Sequence, residues 1–244
     1  MAQSDARDPL WVPAPLEQAV PPLLRVALFK SPLQSAVDPG VIAALDLAAA
    51  ALQAAGCVVE EAEPPHFDEA AALWRQLVFD DLRRAGAPAI AAMGDAPVQA
   101  ALRGYLHGLP ELDRDGYLNA LQRRLSIARA WSLFFERYPV LLMPVSWQLP
   151  FTIDADTHSP EHMAELLAAQ SPLLGTACLG LPGLALPTGL MDGLPASVQL
   201  VANRFREDLL LQAGQIIEDA MRFDVIAALT SASLHPAATA ACRA

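Results

Sequence analysis

Residues 184–202 read LALPTGLMDGLPASVQLVA, two short apolar runs on either side of Asp192-Gly193. Asp-Gly between such runs is a strong short-range hairpin signal, because a two-residue turn needs φ > 0 and glycine adopts it without steric cost. Pro187 and Pro195 lack the N–H that a strand ladder uses, so both are assigned to strand ends. The pattern predicts a tight hairpin of fixed register whose arms enter a larger sheet. Gly108, where a helical stretch runs out, is assigned to a loop with less conformational demand.

Working outward, residues 206–220 predict a final amphipathic helix with Leu209, Leu210, Ala213, Ile216 and Ile217 inward. Upstream, VLLMPVS at 140–146 has no charge, as expected for a strand covered on both faces. An irregular loop follows it, and Ser159-Pro160-Glu161 opens a helix. Nearer the start, LRVALF at 24–29 predicts a strand, and Asp38-Pro39 supplies an N-cap with proline in the first turn. Val41, Ile42, Leu45, Ala49 and Leu52 then recur at helical spacing, Gly56 ends the helix, and CVVEEAE at 57–63 returns as a strand. That β-α-β order predicts a parallel crossover. A helix over 66–84 carries Phe67, Ala71, Trp74, Leu77 and Val78 on one side and is closed by Gly86 and Pro88; a less regular helical region runs to Gly108. Asp113 opens the longest helix, striped by Tyr117, Leu121, Leu125, Ala128, Trp131 and Phe135 and stopped by Pro139. The fold class is therefore α/β, a mixed sheet with helices packed on both faces. Residues 24–229 form a single α/β unit, 1–23 are a proline-rich linker or strap, and the Ala- and Ser-rich stretch 230–244 is a disordered tail.

The net charge of −11, with no cluster of Lys or Arg able to track a phosphate backbone, excludes a nucleic-acid partner. An apolar fraction of 54% is high for a domain that stands alone, so part of that surface is expected to lie against another chain. Cys57, Cys178 and Cys242 are odd in number and widely spaced, which indicates neither a disulfide framework nor zinc and fits a reducing cytoplasm. No export signal is visible at the N-terminus. Residues 166–191 are uncharged for long enough to span a bilayer, but Pro172, Pro182, Pro187 and four glycines interrupt them, so buried core segments are expected and no membrane partner.

Acid–base chemistry has few candidates. His158 and His162 cluster with Asp154, Asp156 and Glu161, but Ser159-Pro160 marks a helix start, where acidic residues favour the helix dipole, and no metal is expected. Lys30, the only lysine, precedes Ser31-Pro32 and is assigned to a solvated loop, not to a buried base. Glu60, Glu61 and Glu63 alternate with apolar residues as on a solvated strand edge. No G-x-S-x-G occurs and no glycine-rich loop carries a serine, so no nucleophile is placed for attack.

The run at 179–218, LGLPGLALPTGLMDGLPASVQLVANRFREDLLLQAGQIIE, resembles the C-terminal region of the amidase signature family of hydrolases, in which G-L-P-A, P-x-G and G-L-P-x-x-V-Q-L-V elements follow in this order. RDPLWVPAPL is similar to the segment after that family's catalytic core, LRVALF with VDPG to its next strand and helix start, and VLLMPVS to a later strand. Ala177 stands where asparagine is common, and Ala196-Ser197 replaces the usual small pair. The family uses a Ser-Ser-Lys triad on a glycine- and serine-rich loop to attack an amide carbonyl. No Gly-Ser-Ser occurs here and Lys30 does not match that lysine's context, so no catalytic residue is carried over.

The resemblance implies that the hairpin completes the sheet bearing the active site and that the loop after VLLMPVS lines an acyl pocket. Pro144, Trp147 and Phe151 are then the substrate-binding residues; packing of Trp147 and Phe151 beneath the loop is the competing reading. The chain is expected to be the C-terminal part of an amidase-type hydrolase acting on carboxylic amide C–N bonds. It would supply sheet and pocket without the nucleophile, be inactive alone and use no cofactor. Its expected partners are an N-terminal amidase segment or a second copy of itself in a homo-oligomer, and a small-molecule amide substrate once complemented. The alternative is a non-catalytic interaction or binding protein derived from an amidase half.

Overall fold

Five consecutive apolar residues, Val140–Pro144, form strand β3, and every one is buried. A strand covered on both faces and paired at both edges has no position for a charge, and the sequence there contains none. The computed structural model describes residues 5, 7–16, 18–19, 21, 23–31, 36–224, 226–227 and 230. On one side β3 pairs in parallel with β1 (Arg25–Leu28), in the register Val26 opposite Val140. On the other it pairs antiparallel with β5 (Leu194–Ala202), in the register Leu142 opposite Leu200. β2 (Val58–Glu61) lies parallel outside β1, and β4 (Gly183–Met191) lies antiparallel outside β5. The five strands run in the order β2-β1-β3-β5-β4, the mixed sheet that the sequence predicts.

Helix α1 (Pro39–Ala54) starts where expected. The Asp38 carboxylate accepts the Gly40 N–H at 2.7 Å, Pro39 sits in the first turn, and Val41, Leu45, Ala48 and Leu52 face inward. With α8 (Glu207–Met221) it covers one sheet face, where Val26, Leu28, Val140, Leu142, Val198 and Leu200 are buried. Alternate residues, Ala27, Leu141, Met143 and Val201, point to the other face. That face is covered by α2 (Phe67–Asp81), α5 (Arg114–Arg137) and α7 (Ser171–Leu179). A third apolar cluster lies off the sheet, where Ala71 and Phe79 of α2 meet Ala101 of α4 (Ala96–Leu106), Met163 and Leu167 of α6 (Pro160–Ala169) and Leu174 of α7.

Several local expectations change. Gly86 and Pro88 do not close α2: the chain passes through a π-helical turn, Leu82–Gly86, directly into α3 (Ala87–Met93). Pro88 falls in the first turn of α3, where its missing N–H breaks no bond. Asp80, 1% exposed, steadies this junction by accepting from the Leu112 N–H at 3.1 Å and from Arg84 Nε at 2.9 Å. On α5 the buried stripe is Ala120, Ile127, Trp131 and Phe135, and Leu125 is exposed. The half-buried place next to Leu125 belongs to Arg124, whose Nε donates to the Cys178 carbonyl at 2.6 Å at the end of α7, so an apolar pattern skips it. The uncharged run after residue 166 becomes three pieces, the end of α6, the separate helix α7 that Pro172 opens, and β4.

The hairpin turn has φ 53° at Asp192 and φ 80° at Gly193, both left-handed. Pro195 is the second residue of β5, but Pro187 lies inside β4 at a register shift that ends at Gly189, φ 134°, so the proline is tolerated by an edge strand with a bulge and not by a strand end. Gly108 also has positive φ, 66°, which overturns the lower demand expected there. Residues described between 5 and 23 form neither helix nor strand and run against the start of α8, where Gln18 Nε2 donates to the Phe205 carbonyl at 2.9 Å. The tail expected beyond Thr230 lies outside the described residues.

Gly193→Val and Gly108→Val are both expected to lower stability, each by about 1–2 kcal/mol, because a β-branched residue is strained at φ > 0. Gly193→Asn should recover most of that loss in thermal unfolding; equal losses for Val and Asn would contradict the turn geometry. Removal of the Asp80 carboxylate, which leaves the Leu112 N–H unpartnered and Arg84 with the Leu112 carbonyl as its remaining acceptor, is expected to cost about 1–3 kcal/mol in Asp80→Ala by urea unfolding.

Candidate functional site

β1 and β3 run parallel, and beyond their C-terminal ends the α1 N-cap, the loop after β3, α6 and the hairpin turn converge. Open α/β sheets place their ligands at this end. The convergence is held by Trp147. Its N–H donates to the Ala169 carbonyl at 2.8 Å, its carbonyl accepts the Asp38 N–H at 2.9 Å, and its indole Nε1 donates to Ser171 Oγ at 2.7 Å. The ring packs edge-on against Phe29 and Phe67, with centroids 5.6 and 5.9 Å away. One side chain and its backbone thereby tie the start of α1 to the α6–α7 junction. Met191 of β4 closes the assembly so tightly that a Cβ on Gly40 would stand 3.0 Å from the Met191 Cβ.

Around this clamp lies a cleft of about 600 Å³, walled by Val37, Leu149, Phe151, Leu166 and Leu194, with Asp38, His162 and Asp192 at its margin. Behind Phe151 a smaller chamber of about 230 Å³ opens between α4, α6 and the 3₁₀ turn Ala155–Thr157. The two cavities share Phe151, Thr152, Ala155 and Leu166. Of the residues expected to bind substrate, Phe151 lines both. Trp147, 2% exposed, lines neither and packs beneath the loop, and Pro144 is the buried last residue of β3, its carbonyl accepting Gln199 Nε2 at 2.9 Å. Tyr105 and Gln170, which also line the chamber, carry no sequence motif, and Asp156 belongs to the acidic cluster around His158 and His162; the α6–α7 break at Gln170-Ser171-Pro172 is the signal that could have located one wall.

The other candidates are occupied elsewhere. Lys30 lies in the partly exposed loop after β1, as expected, and its Nζ bridges Asp46 at 2.9 Å and Glu61 at 3.2 Å. Its hydrogen bonds to those carboxylates raise its pKa, holding it protonated and unfit as a base. Glu60 is equally engaged, accepting from Arg25 at 2.7 Å and from the Tyr138 hydroxyl at 2.9 Å. His162 Nδ1 lies 3.0 Å from Glu165 and its ring stacks on His158, while Ser159 caps α6 through the His162 N–H. Among the described residues no group of three His, Cys, Asp or Glu side chains is placed to hold a metal ion, and no helix is long and apolar enough to cross a membrane.

This architecture recurs in solved proteins. The 6-aminohexanoate cyclic dimer hydrolase superposes with a TM-score of 0.67 at 21% identity, over 91% of this chain and 51% of that one. A bacterial aryl acylamidase of the amidase signature family gives 0.67 at 18% identity, over 89% and 48%. By sequence the chain is 36% identical to the indoleacetamide hydrolase of Bradyrhizobium japonicum, over 89% of its own length and 47% of the relative's. The indoleacetamide hydrolase of Bradyrhizobium diazoefficiens is likewise 36% identical, over 90% of this chain and 42% of that protein. The chain thus spans about half the length of the curated relatives it matches. The Amidase family model matches residues 1–211, and with the mixed sheet and its hairpin in place the chain belongs to the amidase family.

Proposed function

We propose that these residues are the C-terminal half of an amidase that hydrolyses carboxylic amide C–N bonds, supplying half of the sheet and a wall of the substrate pocket, with nucleophile and base provided by residues outside this sequence. The observation that carries the reading is the inequality of the two sheet edges. β2 is four residues long and is guarded by Glu60 and Glu61, which pair with Arg25 and Lys30. Short, charged edges resist pairing. β4 is nine residues long without a charge, and its Gly183, Ala185 and Pro187 are exposed on the face opposite α8. An uncharged edge of that length is suited to continue a sheet, so β4 is the side on which an N-terminal amidase segment joins. Where that segment is missing, a second copy of this chain is the substitute partner.

Within the pocket, Phe151 forms the wall toward the acyl group, while Trp147 and Pro144 hold the loop that carries it. Cys57 and Cys178 are free thiols whose pKa values burial raises, so they stay protonated, which suits the reducing cytoplasm.

The chain alone is expected to show no hydrolysis of indoleacetamide above buffer, since loss of a nucleophile with its base lowers rates by at least about 10⁴-fold. Co-expression with the N-terminal half of the Bradyrhizobium japonicum relative should give a co-sedimenting complex and turnover. Activity of the chain alone, lost on substitution within it, would refute the reading; a stable homodimer indifferent to the added half would favour an interaction protein. In the active complex Phe151→Ala should lower kcat/KM by roughly tenfold through lost pocket contacts. Trp147→Ala should instead cost about 3–5 kcal/mol of folding stability in the chain itself, as loss of a buried indole does.

A further inference from the structure

The run Val198-Gln199-Leu200-Val201 sets one side-chain amide among apolar strand residues. Gln199 stands opposite Met143 in the ladder and shares its face of the sheet with Leu141, Met143 and Val201. At 3% exposure the side chain has left water, and its polar atoms need partners within the protein. Nε2 has one: it donates to the Pro144 carbonyl at 2.9 Å, at the end of β3 from which the loop bearing Trp147 and Phe151 leaves the sheet. Among the described residues nothing donates to Oε1. A buried amide bonded on one side and bare on the other is costly where leucine or methionine would fill the same space.

The bare oxygen lies toward β4. Across the other ladder Gln199 faces Ala185, and the place a Cβ on Gly183 would take is 3.7 Å from Oε1. Gly183, Ala185 and Pro187 are all exposed, so this strip of the sheet, on the face opposite α8, is left uncovered. Its side chains are small or absent, which lets another backbone approach a glutamine that sits below the surface. The strip carries no charge and is continuous with the β4 edge that the hydrolytic reading gives to the missing half. The chain spans about half the length of its Bradyrhizobium relatives, so these contain a segment large enough to cover it. We propose that the N-terminal amidase half lays a stretch of backbone over Gly183, Ala185 and Pro187 and donates an N–H to Gln199 Oε1. Gln199 thereby ties the docked half to the end of β3 and to the loop that carries Phe151. The inference rests on the hydrolytic reading and adds to it the contact through which the two halves meet.

The test is sedimentation of the full chain with the N-terminal half of the Bradyrhizobium japonicum relative, using Gln199→Met, Ala185→Arg and Leu125→Arg beside the unsubstituted chain. Gln199→Met keeps the side-chain volume but takes the acceptor from the half's N–H, and association is expected to weaken about tenfold. Ala185→Arg places a long side chain at an exposed position; it should abolish association and leave urea unfolding of the chain alone unchanged. Leu125→Arg, exposed on α5, should change neither. In the unsubstituted chain, labelled at its glutamine carbonyls, the Gln199 side-chain resonance should move when the half is added, a response that depends on no variant folding. Association of Ala185→Arg or Gln199→Met equal to that of the unsubstituted chain, or an unmoved Gln199 resonance in the complex, would overturn this inference and leave the hydrolytic reading standing. No association by the unsubstituted chain would overturn both. A homodimer that Ala185→Arg splits, with no hold on the added half, would assign the strip to a second copy and overturn the proposal.

Discussion

β3 has no free side. Both of its faces are buried and both of its edges are paired, parallel to β1 and antiparallel to β5, so each neighbour's register is fixed against the same five residues. A slip of one residue would exchange the side chains facing α1 and α8 with those facing α2, α5 and α7. The two faces hold different volumes: small and branched residues meet the alanine-rich α1, while Met143 and Leu141 meet Trp131, Phe67 and Trp147. Neither set fits the other's place in a close-packed interior.

From that register the loop after β3 leaves the sheet at one defined point, and Trp147 takes hold of three elements at once. The same residue is hydrogen-bonded through N–H, carbonyl and indole to the end of α6, the cap of α1 and the start of α7. Its burial is therefore the condition for the cleft rather than part of the cleft's lining. Two arginines lock the far end of α7: Arg124 and Arg204 donate to the Cys178 and Leu179 carbonyls, at 2.6 and 3.0 Å, where the helix leaves its last C=O groups unpaired. With both ends of α7 fixed, β4 enters the sheet from a rigid start.

The two edges of the sheet differ in length and in charge. At β2 the charges of Arg25, Lys30, Glu60 and Glu61 are spent on one another, and the Tyr138 hydroxyl and ring add to the network. At β4 only a bulge and a proline interrupt nine uncharged residues.

Local grammar made much of this legible. Asp38-Pro39, Asp113 and Ser159-Pro160 mark their helices because a capping oxygen must sit within a few residues of the N–H it satisfies, and Asp192-Gly193 marks the hairpin because few residue pairs tolerate two positive φ angles. The mixed sheet and the family likeness follow from those signals in order along the chain. What the sequence could not fix were outcomes that depend on distant partners. Arg124 replaces an apolar residue on α5 because a helix end from fifty-four positions away supplies its acceptor. Gly86-Pro88 fails to stop a helix because buried Asp80 gathers Arg84 and Leu112 around a π turn. Trp147 and Phe151 are four residues apart and chemically alike, yet one is core and the other wall, since only the packed neighbours Phe29, Phe67, Ala169 and Ser171 decide which ring is enclosed.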